Sequence, residues 1–231
     1  MSGGDRGTVW TIVVAAGSGT RFGAPKQFAD LGGRRVLDRS VATAARHSDG
    51  VVVAVPADGG DRRPPTVPAD VAVRVVTGAE TRAGSVRAGL AAVPEGAAVV
   101  LVHDAARPLA SDAIYERVIA AVRGGASAVC PAVPVADTLR RRAGGVVDRD
   151  EVVAVQTPQG FAAAALRAAY DRGLDATDDV TVVEADGATV VLVEGDVANR
   201  KLTTPLDLTI ARILVADEAE DPDPLTQEAR P

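Results

Sequence analysis

The sequence predicts an α/β fold built on a doubly wound, mostly parallel sheet. Three observations carry this. Continuous apolar runs rich in β-branched residues recur at 9–15, 51–55 and 99–102, the pattern of strands buried on both faces. Between and after them, apolar residues at helical spacing occupy 36–46 and 82–93, and Ser111 can cap a further helix running to about Arg123. A Gly-rich segment follows the first strand directly, at the carboxyl-end rim where such sheets bind ligands.

The remaining elements follow in order. The 56–70 stretch holds four prolines and several charges and reads as a surface loop, and 71–76 alternates as a strand. The 99–102 strand ends at His103-Asp104. Residues 127–135 are strand-like. The polar segment 137–150, with Arg140, Arg141 and Arg142 and a Gly144-Gly145 turn between extended arms, fits a protruding β-hairpin. A strand at 152–155, an Ala-rich helix at 161–172, a helix capped by Thr177 or Asp178, and a strand at 189–194 come next. Thr204-Pro205 with Asp207 supplies a cap, a proline at the first helical position and an acid in the first turn, so a final helix follows.

One domain is expected over 9–216, with its hairpin arm at about 137–151. Residues 1–8 are short and Gly-rich and are expected to be disordered. The 217–231 segment has six acids against one Arg, a net of −5 out of −6 for the whole chain, and is expected to be an acidic disordered tail. No hydrophobic signal region opens the chain and no apolar run reaches transmembrane length, so a cytoplasmic protein without a membrane partner is expected.

Composition excludes several functions. Aromatic residues make up 3% of the chain and the net charge is −6, which argues against a nucleic-acid partner. Cys130 is the sole cysteine, which excludes an intrachain disulfide and a Cys-based zinc site; His47 and His103 are too few for a His-rich metal site. Cys130 lies in an apolar run and reads as a small buried hydrophobe.

Charge is written almost entirely in arginine: twenty-three Arg against two lysines, Lys26 and Lys201. A compact ammonium on a flexible stem suits a phosphate whose charge shifts during a reaction better than a rigid guanidinium fork. Lys26 lies in the segment Ala15-Ala16-Gly17-Ser18-Gly19-Thr20-Arg21-Phe22-Gly23-Ala24-Pro25-Lys26-Gln27, and Lys201 follows a late strand. Backbone amides of such a segment can cradle an anion, with Arg21 and Lys26 supplying two cations. It is not a Walker loop, because no Gly-Lys-Ser/Thr follows. It is not the dinucleotide fingerprint, because Phe22 stands where the third Gly belongs, which sets aside a dinucleotide-dependent oxidoreductase. Alone, it also fits an ordinary Gly-rich turn with two solvated charges.

The pattern Ala-Ala-Gly-x-Gly-x-Arg-(x4)-Pro-Lys-Gln resembles the signature of the sugar-phosphate nucleotidyltransferases. Further segments, from about Val9 to about Ala216, are similar to one branch, the 2-C-methyl-D-erythritol 4-phosphate cytidylyltransferase family. They are Arg82-Ala-Gly-Ser85-Val86, His103-Asp104-Ala105-Ala106-Arg107-Pro108, Asp137-Thr138, Asp148-Arg149, Gln156-Thr157-Pro158-Gln159, Thr177-Asp178-Asp179 and Asn199-Arg200-Lys201.

The resemblance implies a Rossmann-like nucleotidyltransferase fold whose hairpin is a dimerisation arm, and a reaction joining CTP to a sugar-alcohol phosphate with loss of pyrophosphate. It implies that Arg21 and Lys26 hold the β- and γ-phosphates, and that Lys201 stabilises the α-phosphate. Mg²⁺ would bridge the phosphates and be held mainly by them. The base would be read by backbone groups at Ala15, Ala16 and Gly17, with Ser18 and Gly19 in the same cradle, and at Gly78, Ala79 and Glu80, with Ser85 assisting. The loop that commonly reads Gly-Gly-x-x-Arg in the family is Gly78-Ala79-Glu80-Thr81-Arg82 here, so Ala79 adds a methyl where the backbone faces the base.

Asp104 would bind ribose or substrate hydroxyls, while His103 reads as a satisfied structural histidine. Arg107 either binds substrate or braces Asp104. Thr138 and Arg149 on the arm would bind the sugar phosphate of the other subunit in a homodimer. Thr157 and Thr177 would contact substrate hydroxyls or shape the pocket; for Thr177-Asp178, helix capping is an equal reading. Ribitol 5-phosphate cytidylyltransferase, which shares nearly every motif, is the alternative. A non-catalytic nucleotide-binding regulatory module is the second, and it would be expected to lose one of Arg21, Lys26 and Lys201, all of which are present. Some relatives are fused to a cyclodiphosphate synthase; this chain is expected to be single-function.

Overall fold

A computed structural model describes residues 7–17, 22–57, 65–174, 176 and 178–220. The elements in chain order are β1 (Thr8–Val14), the hairpin strands β2 (Asp30–Leu31) and β3 (Arg34–Arg35), α1 (Val36–Arg46), β4 (Gly50–Val55), β5 (Ala72–Thr77), α2 (Arg82–Ala92), β6 (Ala97–Asp104) and α3 (Asp112–Arg123). They continue with β7 (Ala128–Pro134), β8 (Leu139–Arg140), β9 (Val146–Val147), β10 (Val153–Val155), β11 (Gln159–Ala162), α4 (Ala163–Asp171), α5 (Asp179–Ala185), β12 (Val190–Glu194) and α6 (Pro205–Glu220).

Eight strands form the central sheet in the order β10-β7-β11-β6-β1-β4-β5, with β12 on the other edge of β7. The pairs β6-β1, β1-β4, β4-β5 and β7-β12 are parallel. β10 and β11 run antiparallel to their neighbours. The alternation of side chains along β1 divides the core: Val9 and Val13 pack with α1 and α3 on one face, while Trp10 and Ile12 pack with α2, α4 and α5 on the other. A third, smaller cluster seats α6 on the start of α1 and the β2–β3 hairpin through Leu31, Val36, Leu208, Ala211 and Val215.

The expected strand–helix alternation holds, with four differences. Phe161 lies in a strand, and the helix expected over 161–172 starts at Ala163. Short and small-residue, β11 has little propensity of its own; it is a strand because β6 and β7 pair with it on both sides. Gly160 makes that fit possible, since a Cβ there would lie 2.4 Å from Cγ1 of Val118. Residues 30–35 form a hairpin through Gly32 and Gly33, both at positive φ (62° and 75°), a conformation costly for other residues. Helix α6 continues to Glu220, four residues into the segment expected to be a disordered tail, because Ala and Glu prolong a helix readily. At the other end, Thr8 already pairs with Ala97 in the sheet, so the strand begins inside the segment expected to be disordered. Residues 1–6 and 221–231 lie outside the described residues. Among the described residues, no helix is long and apolar enough to cross a membrane.

Candidate active site

A cavity of about 280 Å³ opens at the carboxyl ends of β1 and β6. The segment after β1 lines it with Ala15, Ala16 and Gly17, then with Phe22, Lys26 and Gln27. Buried Gln27 anchors this segment: its Nε2 donates to the carbonyl oxygens of Ala15 (2.9 Å) and Gly17 (3.1 Å). The expected site residues Ser18, Gly19 and Arg21 lie outside the described residues, as does Thr177.

The opposite wall is the loop from β5 to α2, which lines the cavity with Ala79, Glu80, Thr81 and Arg82. The Gly78 amide donates to Val55 O at 2.7 Å, and a Cβ on Gly78 would come within 2.4 Å of the Ala16 methyl. Only glycine lets the two loops approach this closely. Ser85 is buried, and its hydroxyl serves the loop: it accepts the Ala79 N–H at 3.0 Å and faces the carbonyls of Ala79 (3.2 Å) and Thr81 (3.0 Å). Ser85 therefore acts on the cavity through the loop's shape. Thr81 caps α2 by accepting the Gly84 N–H at 2.9 Å.

Asp104, at the end of β6, and Lys201 close the floor. Lys201 Nζ lies 2.6 Å from Asp104 Oδ2, and Arg82 Nε lies 3.1 Å from Oδ1. Burial would raise the Asp104 carboxyl, but the charges of Arg82 and Lys201 outweigh it and hold the group well below the usual carboxylate range. Arg82 bridges onward, with Nη1 2.7 Å from Oδ2 of the fully buried Asp179, whose Oδ1 accepts the Tyr170 hydroxyl at 2.5 Å. Burial works against the charge of Arg82, and the two carboxylates more than reverse this, so its pKa is raised.

Behind Asp104 lies a polar brace. The Asp104 N–H donates to Thr157 Oγ1 at 3.0 Å, and Thr157 Oγ1 lies 3.1 Å from His103 Nδ1. His103 Nε2 lies 3.2 Å from the Arg107 carbonyl, which can only accept, so Nε2 carries the proton and Nδ1 accepts from Thr157. Burial pushes His103 down to about 4, so it stays neutral as a structural group. Arg107 donates to the carbonyls of Asn199 (2.8 Å) and Val155 (3.2 Å), tying the Lys201 loop to the end of β10. Arg107 thus ties two backbone segments together, while Thr157 holds the Asp104 N–H and His103. Thr138 and Arg149 lie on the exposed arm, outside the cavity lining; Arg149 Nη1 donates to Ala136 O at 3.3 Å.

Thus the structure gathers Ala15, Ala16, Gly17, Lys26, Ala79, Glu80, Ser85, Asp104 and Lys201 about one cavity, with Gly78 packed beside it. The sequence reading assigned no role to Arg82 or Asp179. Both fall within the motifs quoted for the resemblance, which was the signal available. A larger depression of about 980 Å³ lies at the opposite ends of β1 and β6, lined by Arg46, His47, Asp49 and Arg123 among others. Its Arg46 and His47 are engaged by Asp112, at 2.8 and 2.6 Å. Neither Lys26 nor Lys201 lines it, whereas both line the carboxyl-end cavity.

The fold is that of the α/β nucleotidyltransferases, with the site at the sheet's carboxyl rim. The family described as 2-C-methyl-D-erythritol 4-phosphate cytidylyltransferase matches residues 9–217. A Nocardia farcinica protein of that name is 45% identical over 218 residues, covering 90% of this chain and 94% of the relative. One from Rhodococcus opacus is 45% identical over 225 residues, covering 93% and 98%. The crystal structure of the Thermus thermophilus protein of that name superposes with a TM-score of 0.74 at 37% identity, covering 89% and 98%. This chain belongs to the 2-C-methyl-D-erythritol 4-phosphate cytidylyltransferase family.

Proposed function

We propose that the chain transfers CMP from CTP to 2-C-methyl-D-erythritol 4-phosphate. A phosphate oxygen of the sugar alcohol bonds to the α-phosphorus of CTP, the bond to the β-phosphate oxygen breaks, and pyrophosphate leaves with the electron pair. The observation that carries this reading is the placing of both lysines of the chain, with Asp104, around one cavity between two backbone-lined loops. The attacking phosphate is already anionic, so no general base is required, and catalysis is positioning plus charge stabilisation.

Lys26, with Arg21 of the same loop, holds the β- and γ-phosphates, and Lys201 stabilises charge developing at the α-phosphate. Cytosine sits between the backbone of 15–17 and that of 78–80, a slot shaped by Gly78 and Ser85. Asp104 takes the ribose or substrate hydroxyls. The partner arm contributes Thr138 and Arg149 to the sugar phosphate, and a guanidinium suits a phosphate monoester. Solvent exposure of Leu139 and Val146 on the arm, and of Val153 and Val155 at its base, supports a homodimer formed there.

The carboxylates lining the cavity are Glu80 and Asp104, and no group of three metal-ligating side chains occurs among the described residues. This donor set fits Mg²⁺ carried largely by phosphate oxygens, with Asp104 the nearest protein carboxylate to the lysine-lined floor. When bound, Mg²⁺ supplies charge neutralisation across the phosphates.

The test is pyrophosphate release from CTP and Mg²⁺, with 2-C-methyl-D-erythritol 4-phosphate and ribitol 5-phosphate compared as acceptors. Turnover with the first supports the reading. Turnover with ribitol 5-phosphate alone, or with neither acceptor despite CTP binding, refutes it.

A further inference from the structure

The geometry points to Asp179 as a positioning residue for the transfer, acting through Arg82 on Asp104 and Lys201. This rests on the function proposed above and extends it to a residue that does not line the cavity. Asp179 opens α5 and is completely buried. Its carboxylate and backbone are held from three directions: Tyr170 donates to Oδ1, Arg82 Nη1 faces Oδ2, and the Asp179 N–H donates to Gln159 Oε1 at 3.1 Å. Arg82 then presents its Nε to Asp104, which pairs with Lys201. Acid and base alternate along this line, from four separate segments of the chain; burial pushes the Asp179 carboxyl up, while the Arg82 charge and the Tyr170 hydroxyl draw it back toward the ionised form.

A purely structural role explains this poorly. A buried carboxylate is costly even when paired, and an apolar contact would join α2, α4 and α5 as firmly. What an apolar contact cannot do is fix a guanidinium. The fork of Arg82 spans two carboxylates through different N–H groups, which a point-charge ammonium cannot reproduce. With Asp179 ionised, Arg82 is shared between two acids, and Asp104 keeps an oxygen for Lys201. Without that charge, Arg82 is drawn to Asp104 alone and competes with Lys201 for it. Tyr170 is itself fixed by the Arg87 guanidinium 5.3 Å over its ring, and Arg87 donates to Leu174 O at 2.6 Å, so the inner end of the chain cannot drift.

The test uses Asp179→Asn, which keeps shape and an acceptor for Tyr170 but removes the charge. Expected is a fall in kcat on the order of 100-fold, the cost of misplacing a reacting group, with KM for CTP nearly unchanged because the base slot is untouched. Asp179→Glu restores part of the loss. A second readout needs no turnover. The chain has two lysines, so protein grown with isotope-labelled lysine gives two side-chain NMR signals, assigned by Lys26→Arg. In the nucleotide-free protein Asp179→Asn moves the Lys201 signal and leaves that of Lys26 in place. Arg82→Lys, which keeps the charge but cannot span both acids, gives the same two changes and serves if Asp179→Asn fails to fold. An unmoved Lys201 signal, or a wild-type kcat in a folded variant, overturns the inference. If the wild-type protein releases no pyrophosphate, the proposed function falls by itself, and the Lys201 signal still decides whether Asp179 positions that lysine.

Discussion

Lys201 and Asp104 stand 97 positions apart in the chain, yet the ammonium and carboxylate meet at 2.6 Å on the cavity floor. The lysine proposed to meet the α-phosphate is thus held in place beforehand by a carboxylate that the two flanking cations keep ionised. Pre-placed charge of this kind needs little reorganisation when the reaction begins.

Removing the lysine should therefore be costly to rate and mild to fold, since Arg82 still faces the Asp104 carboxylate. Lys201→Ala is expected to lower kcat by about 100-fold or more, as loss of one electrostatic stabiliser does. Lys201→Arg should recover little, since a planar fork cannot follow the same path. Steady-state pyrophosphate release checks both, with thermal melting as the control for folding.

Arg82→Ala tests the buried end of the same line. It leaves Asp179 inside the protein without its cation, and breaking such a pair costs about 3 kcal/mol or more. Urea denaturation should show the loss as a lower midpoint. Arg82→Ala combined with Asp179→Ala should recover much of it, because the stranded charge goes too.

Acid should weaken the fold through His103. Its folded pKa of about 4 lies below the ordinary 6.5, so the unfolded chain takes up the proton first. Stability is then complete above about pH 6.5 and declines as pH falls toward 4, by about 2 kcal/mol from this group between pH 8 and pH 5. Asp104, also depressed, adds its own loss only below about pH 4. Urea titrations at the two pH values, repeated on His103→Gln, should show the slope and its removal.

The Ala79 methyl faces Gly84: a Cβ built on Gly84 would come within 2.7 Å of it. Gly84→Ala should therefore distort the loop proposed to face the base and weaken CTP binding, and the pair Ala79→Gly with Gly84→Ala should relieve it. Isothermal titration with CTP compares the three proteins. Equal affinity for single and double variants would mean that the loop absorbs the clash.

The order of strands and helices is legible in the sequence because each announces itself locally. The β1 run is apolar but for Thr8 and Thr11, α1 carries apolar residues at helical spacing, and Pro205 with Asp207 marks the start of α6. The lysines are legible because they are rare. What escapes is whatever depends on distant partners. β11 looks like the beginning of an Ala-rich helix until β6 and β7 are seen on either side. Arg82 and Asp179 gain meaning only when the starts of α2 and α5 are brought together, and no local period encodes that meeting.

Both lysines of the chain line one cavity, which gives the protein an unusual chemical address. Apart from the α-amino group, every primary amine in the molecule belongs to this cavity. An acylating dye, which in most proteins would decorate the surface at random, would here report on that cavity, and protection by added nucleotide would read its occupancy without any coupled assay.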